Sequence, residues 1–151
     1  MIRGIFSVTL LLLTLTFVMS SCSKDDEVII DSSQPTGNFT AERSGTLTAE
    51  SGTPTSGTVE LGKDEDSESF LRFGSDFTTQ LATGTVSVYF STSATFTADP
   101  ANGNPDLILV GSIQQNGEQY IKLNTSVGSN FTHVILWCNT ASIPFGNAQL
   151  Q

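Results

Sequence analysis

The side chains able to do redox or ligand chemistry unaided are scarce in this chain: two cysteines, Cys22 and Cys138, one histidine, His133, and two methionines, Met1 and Met19. Cys138 closes the apolar segment Phe131-Thr-His-Val-Ile-Leu-Trp-Cys138. It is the redox candidate, with His133 and Trp137 as supporting candidates. A reactive thiol needs a cation or a helix N-terminus to stabilise its thiolate. No Lys or Arg stands within ten residues of Cys138 on either side. On a regular strand Val134, Leu136 and Cys138 share one face, and a cysteine among aliphatics behaves as a small hydrophobe. The same alternation sends His133 and Trp137 to the opposite face, so Cys138 and His133 reach one ion only across a bulge. One cysteine and one histidine cannot build a four-ligand zinc site. The simpler readings are a hydrogen-bonded sheet histidine for His133 and a core aromatic for Trp137.

The loop Lys63-Asp-Glu-Asp-Ser-Glu68 offers Asp64, Asp66 and Glu68 as weak candidates for calcium. It lacks the glycine and terminal glutamate spacing of an EF-hand, and a solvated hairpin explains it as well. No nucleophile-elbow pattern occurs, a single histidine leaves little choice of triad base, and no carboxylate pair sits in an apolar context. The residues argue against an enzyme.

Residues 1–21 read as a targeting device. Arg3 precedes the apolar stretch Ile5–Met19, whose 15 residues fall short of the roughly 20 a spanning helix needs and suit the apolar region of a signal peptide. Met19-Ser20-Ser21-Cys22 resembles a bacterial lipobox, which marks Cys22 for lipidation and makes the membrane a partner through that anchor. Residues 22–36, polar and acidic apart from Val28-Ile29-Ile30, read as a flexible tether. The expected location is across the inner membrane, as an outer-membrane lipoprotein facing the periplasm or the cell surface. Without residues 1–21 the chain has five basic and fifteen acidic residues, a formal charge of −10. Nucleic acid is a poor partner for such a surface.

The 115 residues from Gly37 to Gln151 suit one domain with one core, and their pattern is that of strands. Val59 and Leu61, then Val86, Val88 and Phe90, then Ile121 and Leu123 alternate with polar neighbours, as strands with one face on a core do. Leu107–Val110 and Val134–Trp137 are apolar on both faces, as central strands are. Turns are expected at Ser51-Gly52, Gly62–Asp64, Thr83-Gly84, Pro100–Pro105, Asn116-Gly117 and Phe145-Gly146, with Asn116-Gly117 the sharpest hairpin signal. The fold class is all-β, a single antiparallel sandwich or barrel-like domain of about eight to ten short strands.

Leu107-Ile-Leu-Val-Gly-Ser-Ile-Gln-Gln-Asn-Gly-Glu-Gln-Tyr120, His133-Val-Ile-Leu-Trp-Cys138 and Ile143-Pro-Phe-Gly-Asn-Ala-Gln-Leu150 resemble, in order and spacing, the C-terminal half of a DM13 domain. Gly37-Asn-Phe39, Ser56-Gly-Thr-Val59 and Gly84–Ser91 carry the likeness into the N-terminal half, although Gly84-Thr85-Val86 lacks a Pro and an Asp that many members show. The resemblance implies an extracytoplasmic β module for which electron transfer has been proposed, centred on the cysteine that maps onto Cys138, as a thiol or as the attachment point of a prosthetic group such as haem. No particular cofactor or redox partner can be named from it. Two functions are therefore expected to compete: a redox module using Cys138, and a non-catalytic binding or structural module of the envelope with Cys138 in the core.

Overall fold

The computed structural model describes residues 32–97 and 103–151. The signal segment, Cys22, Val28–Ile30 and residues 100–102 of the expected 100–105 turn lie outside the described residues.

Nine strands form two antiparallel sheets, and the described residues include no helix. They are β1 (Thr40–Thr46), β2 (Thr48–Ala49), β3 (Thr58–Lys63), β4 (Ser69–Phe73), β5 (Val86–Ser91), β6 (Leu107–Ser112), β7 (Gln119–Lys122), β8 (His133–Cys138) and β9 (Ile143–Gln149). One sheet has the order β1-β3-β4-β7, the other β2-β9-β8-β5-β6. The sheets are not closed into a barrel, and the arrangement is a sandwich. Its core lies between them, with Val59, Leu61, Leu71 and Phe73 from the first sheet meeting Val86, Val88, Phe90, Val134, Leu136 and Phe145 from the second.

One continuous segment serves both sheets. β1 pairs with β3, β2 pairs with β9, and the single residue between them, Leu47, drops its side chain into the core while its N–H donates to the Gly57 carbonyl. The chain can make this corner because backbone approaches backbone closely there. A Cβ on Gly146 would stand 2.7 Å from the Thr48 carbonyl oxygen, so only glycine admits β2 beside β9.

The structure corrects several expectations. Leu107–Val110 becomes β6, an edge strand and not a central one, with Leu109 60% exposed. Asn116-Gly117 closes no hairpin, because β6 and β7 belong to different sheets and only Gly117 has positive φ. The two-residue turn with positive φ at both positions is Ser51-Gly52 (φ 52° and 73°). Gly62 and Lys63 end β3, and the turn follows at Asp64–Ser67. Phe145-Gly146 lies within β9, where a register irregularity opposite Leu136 and Trp137 turns Phe145 into the core.

Candidate functional site

β8 is flanked by β9 and β5, so its side chains sort cleanly between the core and the outer face. Val134, Leu136 and Cys138 face the core and are 0% exposed. Cys138 pairs across the sheet with Val86 and Ile143, and its sulfur has one polar neighbour, the Thr83 hydroxyl at 3.8 Å. It is a free thiol with no cation beside it in the sequence, and its surroundings are aliphatic.

The outer face of this five-stranded sheet can be read row by row from the register. Ser91, His133 and Gln149 form one row; Tyr89, Ile135, Asn147 and Thr48 the next; Ser87, Trp137 and Pro144 the third. Trp137 is thus an outer-face residue, where the sequence suggested a core aromatic. Phe96, from the connection after β5, stacks on it with ring centroids 4.0 Å apart and meets Tyr89 edge-on at 5.0 Å. On the same face Ile135 is 0% exposed although it does not belong to the central core.

His133 sits at one end of that face. The Thr132 hydroxyl stands 2.9 Å from His133 Nδ1 and 3.3 Å from the Thr92 carbonyl oxygen. The contact with His133 engages Nδ1 and leaves Nε2 without a partner among the described residues, to donate or accept as the tautomer allows. The imidazole opens on a hollow of about 560 Å³ whose lining includes Ser44, Thr46, Thr48, Asn147 and Gln149 and no Asp, Glu, Lys or Arg side chain. Asn147 Nδ2 donates to Glu50 at 3.2 Å, which orients the amide and leaves its oxygen unspent.

Charge is segregated between the sheets. No Asp, Glu, Lys or Arg occurs in β2, β5, β6, β8 or β9. The ion pairs of the described residues, Lys63–Glu42, Arg72–Glu60, Arg72–Glu118 and Lys122–Glu68, lie on the four-stranded sheet or its turns. Arg72 bridges two carboxylates and its pKa is raised, chiefly by the Glu118 hydrogen bond. Its neighbour Tyr120 is shifted upward by burial.

The acidic loop serves the backbone. Asp64 accepts from the N–H groups of Thr36 (2.9 Å), Asp66 (3.0 Å) and Glu68 (2.9 Å). These bonds, that from Thr36 first, hold its carboxyl below the usual range. Glu68 pairs with Lys122, and no group of three or more potential ligands converges on a point among the described residues. Thr36 and Asn38, at the end of the expected tether and the start of the domain, are tied to this turn through Asp64 and Glu65.

The model of the electron transfer DM13 family matches residues 46–150. The chain belongs to the DM13 family. Neither the curated proteins nor the solved structures yield a match. The matched span takes in β2 to β9 and begins at the last residue of β1, so the likeness at Gly37–Phe39 falls outside it.

Among the described residues, a haem on this DM13 domain would find its thiol or imidazole in Cys138 or His133. The residues do not fit one: the sulfur is sealed in the core, and the imidazole is on the other face of the sheet with one nitrogen committed to Thr132. Of the candidates from sequence, His133 and Trp137 share the outer face of β8, and Cys138, Asp64, Asp66 and Glu68 are apart from them. Sequence reasoning missed Phe96, Asn147 and Gln149. Gln149 reaches the hollow only through its pairing with His133, and no local pattern marks Phe96 as the partner of Trp137.

Proposed function

We propose that this DM13 protein is a lipid-anchored, non-catalytic binding module of the cell envelope, in which Cys138 is a structural core residue and not the redox centre. The observation that carries the reading is the complete burial of Cys138 among aliphatic side chains, with one weak hydroxyl contact and no cation to stabilise a thiolate. A thiol so placed neither meets a redox partner nor accepts a covalent group without opening the sandwich. The electron-transfer role attached to the family would then rest on a partner that this domain docks. The lipobox-like Met19–Cys22 and the acidic residues after it support anchorage at the membrane surface, outside the inner membrane.

Two measurements test the reading. The native protein should be colourless in the visible range and take up a thiol reagent only after denaturation; fast native labelling or a visible chromophore would return Cys138 to the role of redox centre. Cys22→Ala should release the protein from membrane fractions, and a variant that stayed bound with its signal removed would refute lipid anchorage.

A further inference from the structure

The outer face of the five-stranded sheet has a composition that narrows what it can bind. In a chain of net charge −9, this face displays three aromatic rings, a histidine, two primary amides and hydroxyls, with no charged side chain in any of its strands, and beside His133 it shares a hollow with Ser44 and Thr46 of β1 in the other sheet. An anionic ligand would find no counter-charge in these strands, and a polyanion would meet the repulsion of the whole molecule; beside the hollow, the Glu50 carboxylate is already engaged by the Asn147 amide. A purely apolar partner would strand the polar rim, whose amides and imidazole would lose their water without a replacement.

We propose that this face binds an uncharged glycan, a neutral polysaccharide lying along β8; the proposal rests on the binding-module reading and names its ligand class. The hollow beside His133 lies within the range of volumes typical of small-ligand sites, roughly 300 to 1,000 Å³. Its groups suit vicinal hydroxyls. His133 Nε2 donates or accepts according to its tautomer, the Asn147 oxygen accepts, the Gln149 amide does both, and the hydroxyls of Ser44, Thr46 and Thr48 do both. The side chains of Ser44, Thr46, Thr48 and Gln149 form no hydrogen bond within the described fold and are free to be spent on a ligand. At the other end of the strand, Phe96, half-buried and stacked on Trp137, offers the outer surface of its ring, against which the apolar face of a sugar packs. Four strand residues, about 13 Å, separate His133 from Trp137, a distance that calls for a ligand of several sugar units.

The full chain, solubilised in a detergent without sugar headgroups, provides the test. Native gels cast with dextran, mannan or a mixed-linkage β-glucan should retard it with at least one of these polymers, and carboxymethyl dextran should not. Trp137 is the only tryptophan, so its emission reports the same titration. His133→Ala and Gln149→Ala, both at solvent-accessible positions, should each weaken binding by about fivefold or more, the cost of one or two lost hydrogen bonds. Arg72→Gln on the opposite sheet should bind as the wild type does. The proposal is overturned if none of the neutral polymers retards the chain, if the two hollow variants bind unchanged, or if the carboxymethyl polymer binds equally well. A concentration-dependent dimer broken by Gln149→Ala would assign the face to a second copy and overturn it too. Failure here with Cys138 still unlabelled removes the ligand class alone, whereas rapid labelling of Cys138 removes the reading beneath it.

Discussion

Replacing Cys138 with Ser and with Ala separates a packed sulfur from a working one. The serine hydroxyl would enter a site that is 0% exposed. Its only polar neighbour, Thr83 Oγ1, already stands 3.8 Å from the sulfur, and the shorter bond from Cβ to oxygen draws the hydroxyl further away, outside hydrogen-bond range. An unpaired buried hydroxyl costs about 1 to 3 kcal/mol. Alanine buries no polar group and forfeits only the contacts of one atom, about 1 kcal/mol. At about 4 °C per kcal/mol for a domain of this size, Ser should lower Tm by roughly 4 to 12 °C and Ala by roughly 4 °C. Calorimetry of the three proteins reads these values directly. In parallel, the wild-type thiol should react through opening alone, slowed on the order of 10³- to 10⁴-fold below a free cysteine if opening costs about 5 kcal/mol. Equal midpoints for all three proteins, together with labelling at the rate of a free thiol, would refute the argument.

Asp64→Asn should lower stability near neutral pH and flatten the acid limb of the stability curve. A carboxyl whose folded pKa is depressed contributes stability that is present above its unfolded value, near 3.9, and is lost as pH falls through the folded value; urea midpoints between pH 7 and pH 2 check the sign. Gly62→Ala, in the middle of a sheet, would drive a Cβ against the Thr40 carbonyl oxygen and to 2.9 Å from Ala41 Cα. Backbone cannot yield as a side chain does, so a loss on the order of 1 to 3 kcal/mol is expected, measured by denaturant unfolding against the wild type.

Strands that bury one face were legible because alternation is local. Val59 with Leu61 and Val86 with Phe90 announce β3 and β5, and the parity of positions 134, 136 and 138 places the Cys138 sulfur inward. Sheet order is not local. The apolar run at Leu107–Val110 gives no sign that β6 ends its sheet, and Asn116-Gly117 carries hairpin chemistry at a corner between sheets. Gly146 looked like a turn residue, yet its reason is the approach of β2 from a hundred residues away. The outer face suffered most from this limit. His133, Asn147, Gln149 and Thr48 become one surface only through the registers of three strands, and Trp137 is sheltered by Phe96, which lies 41 positions earlier in the chain.

The passage of one segment from sheet to sheet at Leu47 has a mechanical consequence. A pull applied from the N-terminal side enters the domain at β1 and can peel it from β3 one hydrogen bond at a time, which takes little force. The peel then arrives at Leu47, whose side chain must leave the core and whose N–H must leave Gly57 before β2 can move. Ser44, just ahead of that point, is also bonded in both directions to Gln151. The joint that staples the two layers therefore acts as a stop: a domain pulled from its N-terminal side gives up an edge strand first and holds its remaining layers together until the staple fails.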